Sequence, residues 1–182
     1  MRKVCYTVIT GDYDELKQPE HITPGWDYEL WTDRPELYAD IPDNKWTVKK
    51  IDLAPADAKQ LSREVKFVPI TEKGPHSMMR TIYIDGSIVP YADLDRLIEE
   101  TGHITGGITT GAHPTLDCVY DEASSIIAQG LAEKIKVDQF VDHLHRIKFP
   151  KNAGLSQCGI LIRDFAGDDE PLLTTMIEWQ NI

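Results

Sequence analysis

A chain of 182 residues, 41% hydrophobic and 27% charged, has the size and make-up of one folded domain, able to bury roughly 70% of the surface its unfolded form exposes; disorder and fibrous repeats are excluded. The formal net charge of -11 argues against a main affinity for a phosphate backbone, so nucleic acid is not an expected partner. No stretch approaches ~18 consecutive apolar residues, and a strand pattern already begins at Lys3 where a leader would need a basic region and an apolar core; a soluble, cytoplasmic protein with no membrane partner is expected.

In chain order, Lys3 to Thr10 is a near-continuous β-prone run followed by the glycine-acid loop Gly11-Asp12-Tyr13-Asp14. Asp27 to Thr32 reads as a second strand ending at Asp33, and Trp46 to Ile51 as a third ending at Asp52. Ala56 to Val65 carries helix formers without a clean apolar stripe. Thr81 to Val89 is apolar up to Asp85-Gly86, which suits a buried central strand that leaves a carboxylate at its C-terminal end, where open α/β sheets keep their ligands. The alternative for the same residues is an Asp-Gly hairpin turn between Ile82 and Val89.

Tyr91 to Glu100 is amphipathic, and Ile104 to Thr109 is a short strand or loop broken by Gly106-Gly107. Val119, Ala123, Ile126, Ile127 and Gly130 mark one face of a helix, and Val137, Phe140, Val141, Leu144 and Ile147 another. Cys158 to Ile162 reads as a late strand and Leu172 to Trp179 as a terminal helix. Strands alternating with helices predict an α/β sandwich with a largely parallel sheet, and the Pro/Gly-rich breaks at Pro69 to Pro75 and Phe149 to Gly154 are too short to divide it, so one domain is expected. The three cysteines, Cys5, Cys118 and Cys158, are widely spaced among apolar neighbours, as buried free thiols are.

Several residues carry possible chemistry. Gly11 lets backbone approach a ligand, and Asp12, Asp14 and Asp33 offer carboxylates to a base or ribose; tight-turn roles explain the same residues. Lys66 and Arg63 precede Asp85 by about twenty residues and, with Arg163 at the end of the late strand, are candidate cations for a leaving diphosphate. Surface charge is the plain alternative for each. His113, in Gly111-Ala112-His113-Pro114, suits a cation or phosphate ligand, or a surface loop. His143 and His145 point about 200° apart on a helix and cannot chelate together. Glu122 beside Asp121 is explained by the helix dipole.

Read in order, Tyr6-Thr7-Val8-Ile9-Thr10-Gly11-Asp12-Tyr13-Asp14, Trp31-Thr32-Asp33, Lys66 with Pro69, Tyr83-Ile84-Asp85-Gly86, and His113-Pro114 through Asp117-Cys118-Val119-Tyr120-Asp121-Glu122-Ala123 form a series. It continues through Phe149-Pro150-Lys151-Asn152-Ala153-Gly154-Leu155 and Leu161-Ile162-Arg163. This series resembles a glycosyltransferase-like family named for a domain of unknown function and related to plant Golgi proteins of pollen and seed-mucilage cell walls. The resemblance covers nearly the whole chain. It implies a GT-A-type, Rossmann-like α/β/α sandwich over residues 1–182, a nucleotide-sugar donor such as a UDP-sugar, an unknown acceptor, and a divalent cation, Mn2+ or Mg2+.

On that pattern Thr10, Gly11, Asp12, Tyr13 and Asp33 line the nucleoside pocket, Asp85 with Gly86 is the surviving acid of the metal-binding Asp-x-Asp element, and Lys66, His113 and Arg163 stand near the phosphates or sugar. Ser87 occupies the place of a second acid, so the cation takes its other oxygens from water and diphosphate. Members of that family continue past the position of Ile182 into a tract containing Arg-Asp-Gln, so the resemblance implies a GT-A-like domain shortened at its C-terminus. The expected activity is cation-assisted transfer of a sugar, with Asp85 and His113 catalytic and Asp117, Asp121 or Glu122 as the first candidates for a base. The rivals are a non-catalytic nucleotide- or sugar-binding module on the same shell and a nucleotidyltransferase, for which the first loop lacks the cations a triphosphate needs.

Overall fold

A computed structural model describes residues 1–11, 13–52, 58–67, 79–103 and 107–165. Among these the elements run β1 (Arg2–Ile9), β2 (Asp27–Thr32), a single 3-10 turn (Pro35–Leu37), β3 (Thr47–Lys50), α1 (Ala58–Phe67), β4 (Met79–Ile84), α2 (Leu94–Thr101), β5 (Ile108–Ala112), α3 (Val119–Ala128), α4 (Lys134–Arg146) and β6 (Ser156–Phe165). The expected helix over Leu172 to Trp179, the Pro69 to Pro75 break and Asp12 lie outside the described residues.

The strands form one six-stranded sheet in the order β3-β2-β1-β4-β6-β5. β1 pairs in parallel with β2 and β4, and β2 with β3, while β4 and β6 run antiparallel. The fold is thus α/β, with a mostly parallel mixed sheet. β1 holds the middle because Val4 through Ile9 are all buried, the pattern of a strand covered on both faces. Cys5, Leu30, Ile82 and Ile162 join Leu94 and Ile98 of α2 in one core cluster. Tyr6, whose side chain alternates to the other face, meets α1 instead: its hydroxyl donates to the Lys66 carbonyl at 2.8 Å. α1 and α2 therefore cover opposite faces of the sheet.

The Asp85-Gly86 hairpin alternative is overturned. β4 continues into a turn closed by Ile88 N–H on the Asp85 carbonyl at 2.9 Å, and the residues through Pro90 return as no strand. β4 spends its pairing capacity on β1 and β6 instead.

The chain divides into two compact units. The first gathers Met1–Thr109 with the part of β6 that begins at Gly159. The second comprises Thr110–Cys158; in it α3 buries Ala123, α4 buries Val137 and Leu144, and the connecting loop is tied by Gly154 N–H on the Asp117 carbonyl at 3.0 Å. Cys5 and Cys118 are buried free thiols as expected, and Cys158 is half-buried. No helix among the described residues is long and apolar enough to cross a membrane.

Candidate functional site

The order of the parallel strands selects the place to look. From β1 the chain moves to β2 and β3 on one side and then returns to β4 on the other, so the strand order reverses between β1 and β4. At such a switch point an open sheet leaves a crevice for a ligand. Thr10-Gly11 stands at the exit of β1 and Asp85-Gly86 at the exit of β4.

Gly86 is what lets these exits close on one another. A Cβ there would lie 3.1 Å from Ile9 Cγ1 and 3.2 Å from the Cβ of Asp14, tighter than side chains tolerate without moving. Asp85 is anchored through its backbone N–H to the Gly159 carbonyl at 2.8 Å. Its side chain is 38% exposed. The Oδ1 atom accepts a short hydrogen bond from the Tyr83 hydroxyl and another from Lys66 Nζ at 3.1 Å. The Lys66 ammonium also lies 4.7 Å from the centre of the Tyr83 ring, within reach of its negative face.

Tyr83 is held in its protonated form. Burial pushes its pKa far up, and the neighbouring charges of Asp85 and Asp14 push it further, so the hydroxyl acts as a donor to Asp85. Asp14 thus belongs to the same cluster. The remaining Asp85 oxygen, Oδ2, lies 3.3 Å from where a Cβ on Gly159 would stand; the bare glycine is what leaves space beside it. Oxygen donors of this kind suit a hard divalent cation. Among the described residues no three His, Cys, Asp or Glu side chains form a ready-made cage, so a cation at Oδ2 would complete its shell from water and ligand.

The β1 loop is built mainly by contacts within the protein. Gly11 has a left-handed φ of +63°, and a Cβ on it would meet the Ala58 Cβ at 2.6 Å, so its missing side chain admits the start of α1. Thr10 Oγ1 donates to the Ala58 carbonyl at 2.6 Å. Asp33 accepts the Gly11 N–H on both oxygens, at 3.1 and 3.3 Å, which ties the ends of β1 and β2 together. Tyr13 is 88% exposed.

Arg163, expected near phosphates, is wholly buried. Its Nη1 donates to the carbonyls of Lys66 and Phe67 at 2.9 and 3.0 Å, and its Nη2 to the Tyr6 hydroxyl. It therefore fixes the end of α1, and with it the backbone that carries Lys66. His113 lies in the second unit, where its Nδ1 accepts from the backbone N–H groups of Thr115 and Leu116 at 3.3 and 2.9 Å and its Nε2 stands 3.9 Å from Glu122. Its role there is to hold the turn that precedes α3. His145, set aside as a ligand, stacks on Tyr120 with ring centres 4.9 Å apart.

The structure therefore brings Asp14, Lys66, Tyr83, Asp85, Gly86 and Gly159 together at the switch point. Tyr83 and Gly159 were not singled out as chemical groups from the sequence, although a glycine inside a strand pattern is a signal of close approach. Compared with known proteins, the chain matches no family model, no curated protein and no solved structure.

Proposed function

We propose that the protein is a GT-A-like glycosyltransferase that moves a sugar from a nucleotide-diphosphate donor to an acceptor. The observation that carries the reading is the part-exposed Asp85 side chain at the C-terminal end of β4, beside the exit of β1, where the strand order reverses, the position at which open α/β sheets keep their ligands. The resemblance of the ordered motifs to the glycosyltransferase-like family supports it.

In this reading Asp85 holds a divalent cation, Mn2+ or Mg2+, through Oδ2. When bound, that ion supplies positive charge and Lewis acidity at the diphosphate. The chain's own residues do the rest. Tyr83 fixes the carboxylate's orientation through the hydrogen bond to Oδ1. Lys66, on a helix end pinned by Arg163, carries a positive charge to the same place and favours departure of an anionic leaving group. Asp33 and the Gly11 backbone shape the nucleoside side of the crevice.

The test is thermal stabilisation by a panel of nucleoside diphosphates and nucleotide-sugars with and without Mn2+, followed by donor hydrolysis. A ligand that binds the native state adds roughly 2.7 kcal/mol of stability at a hundredfold excess over its Kd. Metal-dependent stabilisation with hydrolysis supports the enzyme. Stabilisation without turnover identifies a non-catalytic nucleotide-sugar module, and no response to any nucleotide overturns the proposal.

A further inference from the structure

Lys66 holds Oδ1 of the carboxylate whose other oxygen, Oδ2, the proposed function assigns to a cation. Its Nζ is 3.1 Å from Asp85 Oδ1, only 16% of its side chain is exposed, and the face of the Tyr83 ring lies beneath the ammonium. The charge that Asp85 needs to offset is thus already supplied from within the chain.

The backbone and the side chain of Lys66 are anchored very differently. Its carbonyl oxygen receives Tyr6 Oη–H at 2.8 Å and Arg163 Nη1–H at 2.9 Å, both from groups on buried strands. Among the described residues its ammonium is held by a part-exposed ion pair with Asp85 and lies against the rings of Tyr83 and Phe67, at the end of a flexible four-carbon stem. A part-exposed pair of this kind is weak enough to exchange. The ammonium can leave Asp85 without disturbing the fold, because the groups that fix α1 do not involve it.

We infer that Lys66 is an internal counter-ion that competes with a divalent cation for Asp85, so that the free protein holds its own ammonium on the carboxylate and binds a lone cation weakly. This rests on the reading of Asp85 as the cation-holding acid. The competition follows from electrostatics: an ammonium within about 3–4 Å of the oxygens repels an incoming double charge, and its removal leaves an uncompensated carboxylate that attracts one. Tyr83 keeps the carboxylate oriented in either state, since its hydroxyl stays protonated and donating.

The experiment measures binding of Mn2+ alone, by the loss of the free-ion electron paramagnetic resonance signal, to the wild type, Lys66→Met, Lys66→Gln, Asp85→Asn, and Asp85→Asn combined with Lys66→Met. The two Lys66 variants are expected to bind about tenfold more tightly than the wild type or better, by removal of one positive charge beside the carboxylate, and Asp85→Asn is expected to abolish the gain. Equal Mn2+ affinity in the wild type and both Lys66 variants, lost in every protein that carries Asp85→Asn, overturns the competition while leaving Asp85 as the cation site. Mn2+ affinity that Asp85→Asn does not change overturns the cation reading of Asp85 and the competition with it.

Discussion

Arg163 of β6 donates from one guanidinium nitrogen to two successive carbonyls at the end of α1, 2.9 Å to Lys66 and 3.0 Å to Phe67, while its side chain is wholly buried. A residue whose type suggested a phosphate ligand is here the bolt between a strand and a helix. Arg63, by contrast, stands exposed on the same helix.

Replacing Arg163 tests this directly. Lysine lacks the planar fork, so Arg163→Lys leaves buried carbonyls short of a donor and is expected to cost about 2–3 kcal/mol, read as a lower urea midpoint with an unchanged slope. A variant with full stability and weakened nucleotide binding would place the guanidinium on the ligand instead.

Gly11→Ala addresses the β1 loop. The substitution combines a left-handed φ of +63° with a Cβ 2.6 Å from that of Ala58. Left-handed strain and overpacking each cost about 1 kcal/mol or more, so a loss of at least about 2 kcal/mol is expected by denaturant titration. A stability loss within a few tenths of a kcal/mol would show that α1 gives way without cost.

The acid limb of stability contains a signature of the buried Arg80–Asp164 pair. Burial alone would raise the Asp164 pKa, but two hydrogen bonds from Arg80 at 2.6 and 2.7 Å, with its charge and His103 alongside, bring it below the ordinary carboxylate value. A lowered folded-state pKa means stability that is fully present above the unfolded value near 3.9 and is lost as pH falls through the folded one, at no more than about 1.4 kcal/mol per pH unit. Denaturation of the wild type and Asp164→Asn between about pH 2 and 7 should therefore give curves separated at neutral pH that converge in acid. A constant separation would remove Asp164 as the titrating group.

Much of the sheet is legible in the sequence because β1, β2 and β4 are buried along most of their length. Asp27–Thr32 stands where the run DYELWT places it, and the exits at Thr10-Gly11, Asp33 and Asp85 follow from acids and glycines that end apolar runs. α1 is harder to read, since only Leu61 and Val65 are buried along it. What local pattern does not carry is partnership. Tyr83 and Asp85, two residues apart, fall on one strand face, but nothing near Lys66 says that its carbonyl would accept from a guanidinium 97 positions away. The Arg163 pairing arises from strand order, which brings β6 alongside β4.

The most direct measurement of the central claim is donor hydrolysis by Asp85→Asn, a change that keeps the side chain's shape and removes its charge. The ion pair with Lys66 is part-exposed, so stability should change by no more than about 1 kcal/mol, while hydrolysis of the nucleotide-sugar that stabilises the wild type should fall by about a hundredfold or more. Wild-type turnover by a folded Asp85→Asn protein, in an assay that depends on Mn2+, would contradict the account.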